Sequence, residues 1–219
     1  MTPFTRLEAV AAPLDLPNVD TDRIIPARFL REPRSAGYGP FCFHDLRLRP
    51  DGTEDAGFVL NQAVYREARI LVAAENFGCG SSREGAVWAL AGRGIRAVVA
   101  PSFGEIFHEN CLRNGLLPVR LSAAAVTGLR QALHAIPGAM VTIDLPGQTI
   151  TGPDGISHRF EIDPFRKQTL LEGLDDIGLT LRYLAAIDAF EARHSAEWPW
   201  AVPGRLDAAP RAAAEGRGQ

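Results

Sequence analysis

The stretch NFGCGSSREGAVWAL, Asn76 to Leu90, follows a short apolar run, ILVAA at Ile70 to Ala74, and the passage from one to the other decides the fold. The apolar run has no polar alternation, so it suits a strand buried on both faces of a parallel sheet. Gly78 and Gly80 then break the strand. From Ser82 the spacing of Ala86, Val87, Leu90 and Ala91 is helical. Gly92 and Gly94 stop the helix, and a second buried run, AVVAP at Ala97 to Pro101, comes next. Strand, glycine turn, helix and strand make one crossover unit of an α/β sheet.

A unit of this kind leaves the start of its helix at the carboxyl edge of the sheet, where open α/β sheets bind ligands. Free N–H groups and the helix dipole favour an anion there. Arg83 adds a planar fork that matches a carboxylate, Ser82 a second hydroxyl, and Ser81 an oxygen that the same field can hold as an alkoxide. Ser81 is also spaced from Glu84 as a capping box, so chemistry and capping both stand as readings. A dinucleotide fingerprint would need a glycine where Arg83 stands, and no GK[ST] follows the turn. Nicotinamide and P-loop sites are therefore excluded.

The same residues carry a resemblance. NFGCGSSRE closely resembles the signature of the 3-isopropylmalate dehydratase small subunits, a family similar to the mobile fourth domain of aconitase. NVDTDRIIPARFL at Asn18 to Leu30, APSFGEIF at Ala100 to Phe107, NGLLPV at Asn114 to Val119 and FRKQTLLEGLDDIGLT at Phe165 to Thr180 also match, in the same order, from about Phe4 to His194. The resemblance implies a single three-layer β/β/α swivelling domain over residues 1–194, with 31–57 a long substrate-side loop. It implies a hydro-lyase subunit in leucine biosynthesis, interconverting 2- and 3-isopropylmalate with a large subunit that carries a [4Fe-4S] cluster, and no metal on this chain. Ser81 matches the family's serine base, and Ser82, Arg83, Thr21 and Asp22 match substrate-binding positions. Asp20, Gly78, Gly80 and Glu84 would support them. Where the family reads SSREHA this chain has Gly85, so Gly85, Arg28, Arg31 and Arg34 are the specificity candidates. A helical glycine costs about 0.8–1 kcal/mol relative to alanine, so Gly85 is expected to leave room beside the site and to tolerate alanine. A sister subunit for another branched malate or a citraconate-like acid, and a non-catalytic carboxylate-binding module, remain as alternatives.

Composition sets the outer bounds. The 219 residues, 46% hydrophobic with a net charge of −3, fit one sizeable core and offer no basic face for nucleic acid. No run of 18 apolar residues is present and the amino terminus lacks a signal-peptide pattern, so no membrane partner and a cytoplasmic location are expected. Cys42, Cys79 and Cys111 are too widely spaced for a disulfide framework or a clustered metal motif.

Elsewhere, Arg6 to Val10 reads as a first strand and Ile24 to Leu30 as a short helix or turn. Asp20 and Asp22 serve either as turn and cap residues or as carboxylates that orient an arginine. Helices are expected at Phe103 to Arg113, Ser122 to Ile136, Phe165 to Glu172 and Asp176 to Arg193. Strands are expected at Met140 to Leu145, Gln148 to Thr151 and Ile156 to Ile162. Residues 195–219, rich in Ala, Gly and Arg toward their end, are expected to be a mobile extension.

Overall fold

The computed structural model describes residues 1–201. In chain order the elements are β1 (Arg6–Leu14), α1 (Thr21–Ile24), α2 (His44–Arg47), β2 (Ile70–Ala73), α3 (Glu84–Gly92), β3 (Ala97–Ala100), α4 (Glu105–Arg113), β4 (Leu117–Arg120) and α5 (Ala123–Ala135). Then come β5 (Met140–Asp144), β6 (Thr149–Thr151), β7 (Ser157–Arg159), α6 (Pro164–Glu172), α7 (Asp176–Leu181) and α8 (Leu184–Glu197). All seven strands form one mixed sheet in the order β4-β3-β2-β1-β5-β6-β7. Strand β4, which begins inside the NGLLPV motif, has no counterpart among the expected strands.

Strand β1 joins two kinds of sheet, and its sequence shows how. Arg6 to Val10 pairs antiparallel with β5, and there exposed Arg6 and Glu8 alternate with buried Leu7 and Ala9. Ala11 to Leu14 pairs parallel with β2, and there every residue is buried. One wet face is what an antiparallel sheet tolerates, whereas a parallel sheet is covered on both. Strands β2 and β3 continue this pattern, buried throughout. Their odd and even residues feed separate cores. Leu71, Ala73, Val98 and Ala100 join Ala86, Val87 and Leu90 of α3 on one face, and Ile70, Val72, Ala97 and Val99 join Val126, Leu129 and Leu133 of α5 on the other. Two sheet halves and the covering helices make the three-layer β/β/α swivelling architecture that the resemblance implied.

Two corrections bear on the site. Helix α3 starts at Glu84, not Ser82, and the segment 31–57 is not structureless: short 3-10 turns and α2 run through it, and Tyr38, Cys42 and Phe43 are core residues.

The described chain groups into two compact units, Met1–Asp175 and one that begins at Asp176. The second holds α7, α8 and a 3-10 turn at Pro199–Ala201, with Trp198 and Trp200 edge to face at 5.8 Å. The expected helix from Asp176 to Arg193 is thus two helices, and the expected mobile extension starts as helix. Its part from 202 to 219 lies outside the described residues.

Candidate active site

The turn after β2 is held by its neighbours' backbones. Beyond the strand ends, Gly78 N–H donates to Val19 O (2.7 Å) and Thr21 N–H to Cys79 O (3.0 Å), joining the turn to the loop after β1. On the other side Phe77 N–H donates to Ser102 O (3.1 Å) and Gly104 N–H to Phe77 O (2.9 Å), joining it to the loop after β3. The parallel ladder therefore runs on past the sheet edge for one more step on each side. Asn76 and Asn18 both take left-handed backbone conformations, which asparagine tolerates, and their amides bond each other at 2.8 Å. Asn76 N–H also donates to Ser102 Oγ (2.9 Å).

Gly78, at φ 72°, has no room for a side chain, because a Cβ there would enter the Phe107 ring. Gly104 is bound by the converse contact: a Cβ on it would strike the Gly78 carbonyl. Gly80, at φ 87°, passes close over Asp20 and Thr21. Both turn glycines are thus required by backbone conformation, and Gly78 by space as well.

This framework delivers Ser81, Ser82 and Arg83 to the rim. The two serines are exposed. Thr21 is buried, and its hydroxyl donates to the Ser81 carbonyl at 2.9 Å, so it fixes the backbone that carries Ser81. Asp20 caps α1 by accepting from Arg23 N–H (2.7 Å). Asp22 does what was asked of an arginine-orienting carboxylate. Its Oδ1 pairs with Arg83 Nη1 and also accepts from Ala27 N–H (3.2 Å). Hydrogen bonding to the Arg83 guanidinium holds the Asp22 carboxyl below its ordinary value, with burial opposing and the guanidinium charge adding to the shift.

The capping-box reading fails. The residue that caps α3 is Arg83, with no side-chain cap bond, and Glu84 accepts from Asn114 Nδ2 at 2.8 Å instead. Nothing in the helix start therefore occupies the Ser81 hydroxyl. The first free N–H groups of α3 belong to Glu84 and Gly85, so the dipole bears on Ser81 across a three-residue turn.

Residues 27–43 lie along α3 like a strap, from its first turn to its last. A Cβ on Gly85 would meet Leu30 Cδ2 at 2.7 Å and Tyr38 Cε1 at 3.3 Å, so the space that Gly85 was expected to leave open is filled. Tyr38 stands edge to face on Trp88 (5.4 Å), and the Arg34 guanidinium covers the other ring contact at 4.3 Å. At the far end Gly39 and Gly92 touch backbone to backbone, where neither could carry a Cβ. Gly85 and Gly92 are seven residues apart on one helix, a close-approach pattern present in the sequence but not read from it. Of the arginines, Arg28 pairs bidentately with Asp45, Arg34 stacks on Trp88 and Arg31 is exposed. The structure does not bring the three into one basic patch. Asn18, Ser102, Trp88 and Asn114 are the framework residues that spacing alone did not single out.

Cys42 and Cys111 are wholly buried, and burial pushes the Cys42 thiol up to about 12 and the Cys111 thiol well above its ordinary value. Neutral buried thiols are poor metal ligands. Among the described residues no group of three or more His, Cys, Asp or Glu is placed to hold a metal, so this donor set does not fit an iron–sulfur cluster.

Fold and turn define a class, the swivelling domains of the aconitase type, and the sequence falls within it. Residues 1–124 match the aconitase C-terminal domain, residues 128–164 the LeuD_N segment, and residues 176–203 the C-terminal domain of the 3-isopropylmalate dehydratase small subunit. The 3-isopropylmalate dehydratase small subunit of Rhodopseudomonas palustris strain BisA53 is 53% identical over 201 residues, 92% of this chain and 100% of that one. Its counterpart in Xanthobacter autotrophicus is 53% identical over 200 residues, 91% of this chain and again 100% of the relative. The crystal structure of 3-isopropylmalate dehydratase (LeuD) of Methanocaldococcus jannaschii superposes with a TM-score of 0.61 at 28% identity, over 84% of this chain and 99% of that one. The chain belongs to the 3-isopropylmalate dehydratase small-subunit family.

Proposed function

We propose that this chain is the small subunit of a hydro-lyase that interconverts 2- and 3-isopropylmalate by dehydration and rehydration, a step of leucine biosynthesis, and that it works in the cytoplasm. The observation that carries the reading is the pairing of an unoccupied, exposed Ser81 hydroxyl with an Arg83 guanidinium held by Asp22, on a turn that three parallel strands lock in place. Moving a hydroxyl between neighbouring carbons needs a base at the carbon that loses its proton, a cation for the adjacent carboxylate, and a Lewis acid for the departing hydroxide. This chain supplies the first two.

In that scheme Arg83 grips a substrate carboxylate through the part of its fork that Asp22 leaves free, and Ser82 adds a hydrogen bond. Ser81 accepts the proton from the carbon next to that carboxylate and returns it on rehydration, so one water is lost and one regained. Thr21 keeps the Ser81 carbonyl, and with it the hydroxyl, in register. We place the [4Fe-4S] cluster on a large-subunit partner, since the cysteines here do not fit one. The branched dicarboxylate then lies between the two chains. Carbon acids beside a carboxylate are weak, so the charge that grows on that carboxylate as the proton leaves must be stabilised, and Arg83 is the cation that would do so.

The test is reconstitution. The purified chain alone is expected to show no turnover of 3-isopropylmalate, with activity appearing on addition of the large subunit. Turnover by the isolated chain, or a reconstituted complex that turns over a citraconate-like acid but neither isopropylmalate, would overturn the assignment.

A further inference from the structure

Asn114 stands in the NGLLPV motif, at the carboxyl end of α4, and touches none of the groups assigned to chemistry. Its amide nevertheless makes three hydrogen bonds. Nδ2 donates to Glu84 Oε1 (2.8 Å) and to Asn110 O (2.9 Å), and Oδ1 accepts from Trp88 Nε1 (3.1 Å). Glu84 is the first residue of α3, and Trp88 lies one turn further on. One short side chain thus grips the helix at both ends of its first turn, directly behind Arg83.

Trp88 is also the central post of the strap. Its indole N–H goes to Asn114, while its ring carries Tyr38 edge-on and Arg34 face-on. Remove the N–H bond and the ring loses the only direction-setting contact among these three, because aromatic and cation–π contacts tolerate tilt far better than a hydrogen bond does. The strap reaches the site at its other end. Ala27 N–H shares Asp22 Oδ1 with Arg83, and exposed Leu30 lies over Gly85, two residues along the chain from Arg83. An open pocket of about 220 Å³ lined by Arg34, Tyr38, Trp88 and Asn114 marks where the strap, α3 and the clamp meet.

We infer that Asn114 is a positioning residue. By clamping Glu84 and Trp88 it fixes the strap against the first turn of α3, and so sets how closely the Leu30 wall approaches a substrate held on Arg83. The inference rests on the proposed function, since it assumes a branched carboxylate at that turn. It concerns binding and selectivity rather than proton transfer, because Ser81 is held by Thr21 and the loop ladders, which Asn114 does not touch.

The experiment compares wild type, Asn114→Ala, Trp88→Phe and the double variant, each reconstituted with the large subunit. Trp88→Phe removes the indole N–H but keeps a ring for Tyr38. For Asn114→Ala, KM for 3-isopropylmalate is expected to rise about tenfold, the worth of one or two hydrogen bonds, with kcat within about twofold. The preference for isopropyl- over methyl-substituted malate should narrow. Trp88→Phe should reproduce part of this, and the double variant should be no worse than Asn114→Ala, as expected of groups acting as one unit. In the free chain, exchange of the Phe41 and Cys42 amides, which close the strap's 3-10 turn, should quicken while that of Gly78 does not. Unchanged KM and preference with a lowered Tm, a fall in kcat alone, or unchanged strap exchange would each overturn the inference. A wild-type complex inactive on every branched malate would instead defeat the proposed function, a result separable from the exchange measurement.

Discussion

The turn at 76–83 and the strap at 27–43 meet on the same helix but keep their shapes by opposite means. The turn is held by backbone: ladder bonds to the loops after β1 and β3, two left-handed asparagines and two glycines in the same conformation. The strap is held by side chains: Tyr38 and Arg34 on Trp88, Leu30 over Gly85, and the Gly39–Gly92 approach. A backbone-held segment keeps its form when exposed side chains change, and fails when a Cβ intrudes. A side-chain-held segment does the reverse. Under the proposed function the chemistry, which needs fixed atoms, falls to the first, and the wall that would meet a variable substrate branch falls to the second.

Gly78→Ala should break the turn most. Alanine at φ 72° costs about 1–2 kcal/mol and its Cβ in the Phe107 ring about 1–3 kcal/mol more, so denaturant unfolding should show a loss of about 2–5 kcal/mol. A loss under about 1 kcal/mol would mean the turn is not locked as described. Trp88→Ala should do to the strap what Gly78→Ala does to the turn, at about 3 kcal/mol, while leaving Gly78 amide exchange slow. Fast exchange at both places would erase the distinction between them.

Gly85 sharpens the comparison further. Gly85→His must displace Tyr38, which is buried, and should cost about 1–3 kcal/mol by chemical denaturation. Gly85→Ala needs the free end of Leu30 to turn aside and the Tyr38 ring to give by a few tenths of an ångström, and the helix gains about 0.8–1 kcal/mol, so stability should stay within about 1 kcal/mol of wild type. Equal costs for the two would show that the strap, not Leu30 alone, yields. The smallest effect is electrostatic. Asp22 has a depressed carboxyl, so its pairing with Arg83 is complete at neutral pH and is lost as pH falls through a midpoint below the ordinary 3.8. Carboxyl titration by NMR should show that midpoint rising in Arg83→Gln; an unmoved midpoint would deny the pair.

The same division explains what was legible in the sequence. β2, the glycine break, β3 and the placing of Ser81 and Arg83 all follow from contiguous residues, since buried runs and turn glycines are local signals. Both readings of the DTD acids proved right in part, Asp20 as a cap and Asp22 as an arginine's partner, because a cap needs only its own helix start while an ion pair needs a distant residue. The Ser81–Glu84 spacing misled. A capping box assumes that the helix begins beside the serine, and here Thr21 and Cys79 draw the chain out for three residues first. The strap was opaque because its order comes from α3, more than 40 residues away, and Gly85 was read as an absent side chain and Gly92 as a helix stop rather than as contacts. β4 escaped notice since Pro118 sits inside it, a residue that argues against a strand unless it lies at the sheet edge, which β4 does.

The claim on which everything rests is that Ser81 does chemistry and holds up nothing. Ser81→Ala in the reconstituted complex, measured for turnover and Tm together, tests it directly. The expected result is a loss of about 10²–10⁴ in kcat with stability within about 0.5 kcal/mol of wild type, as for an exposed side chain whose removal leaves the Thr21 bond to the Ser81 carbonyl in place. Near-normal turnover, with or without a lowered Tm, would contradict it.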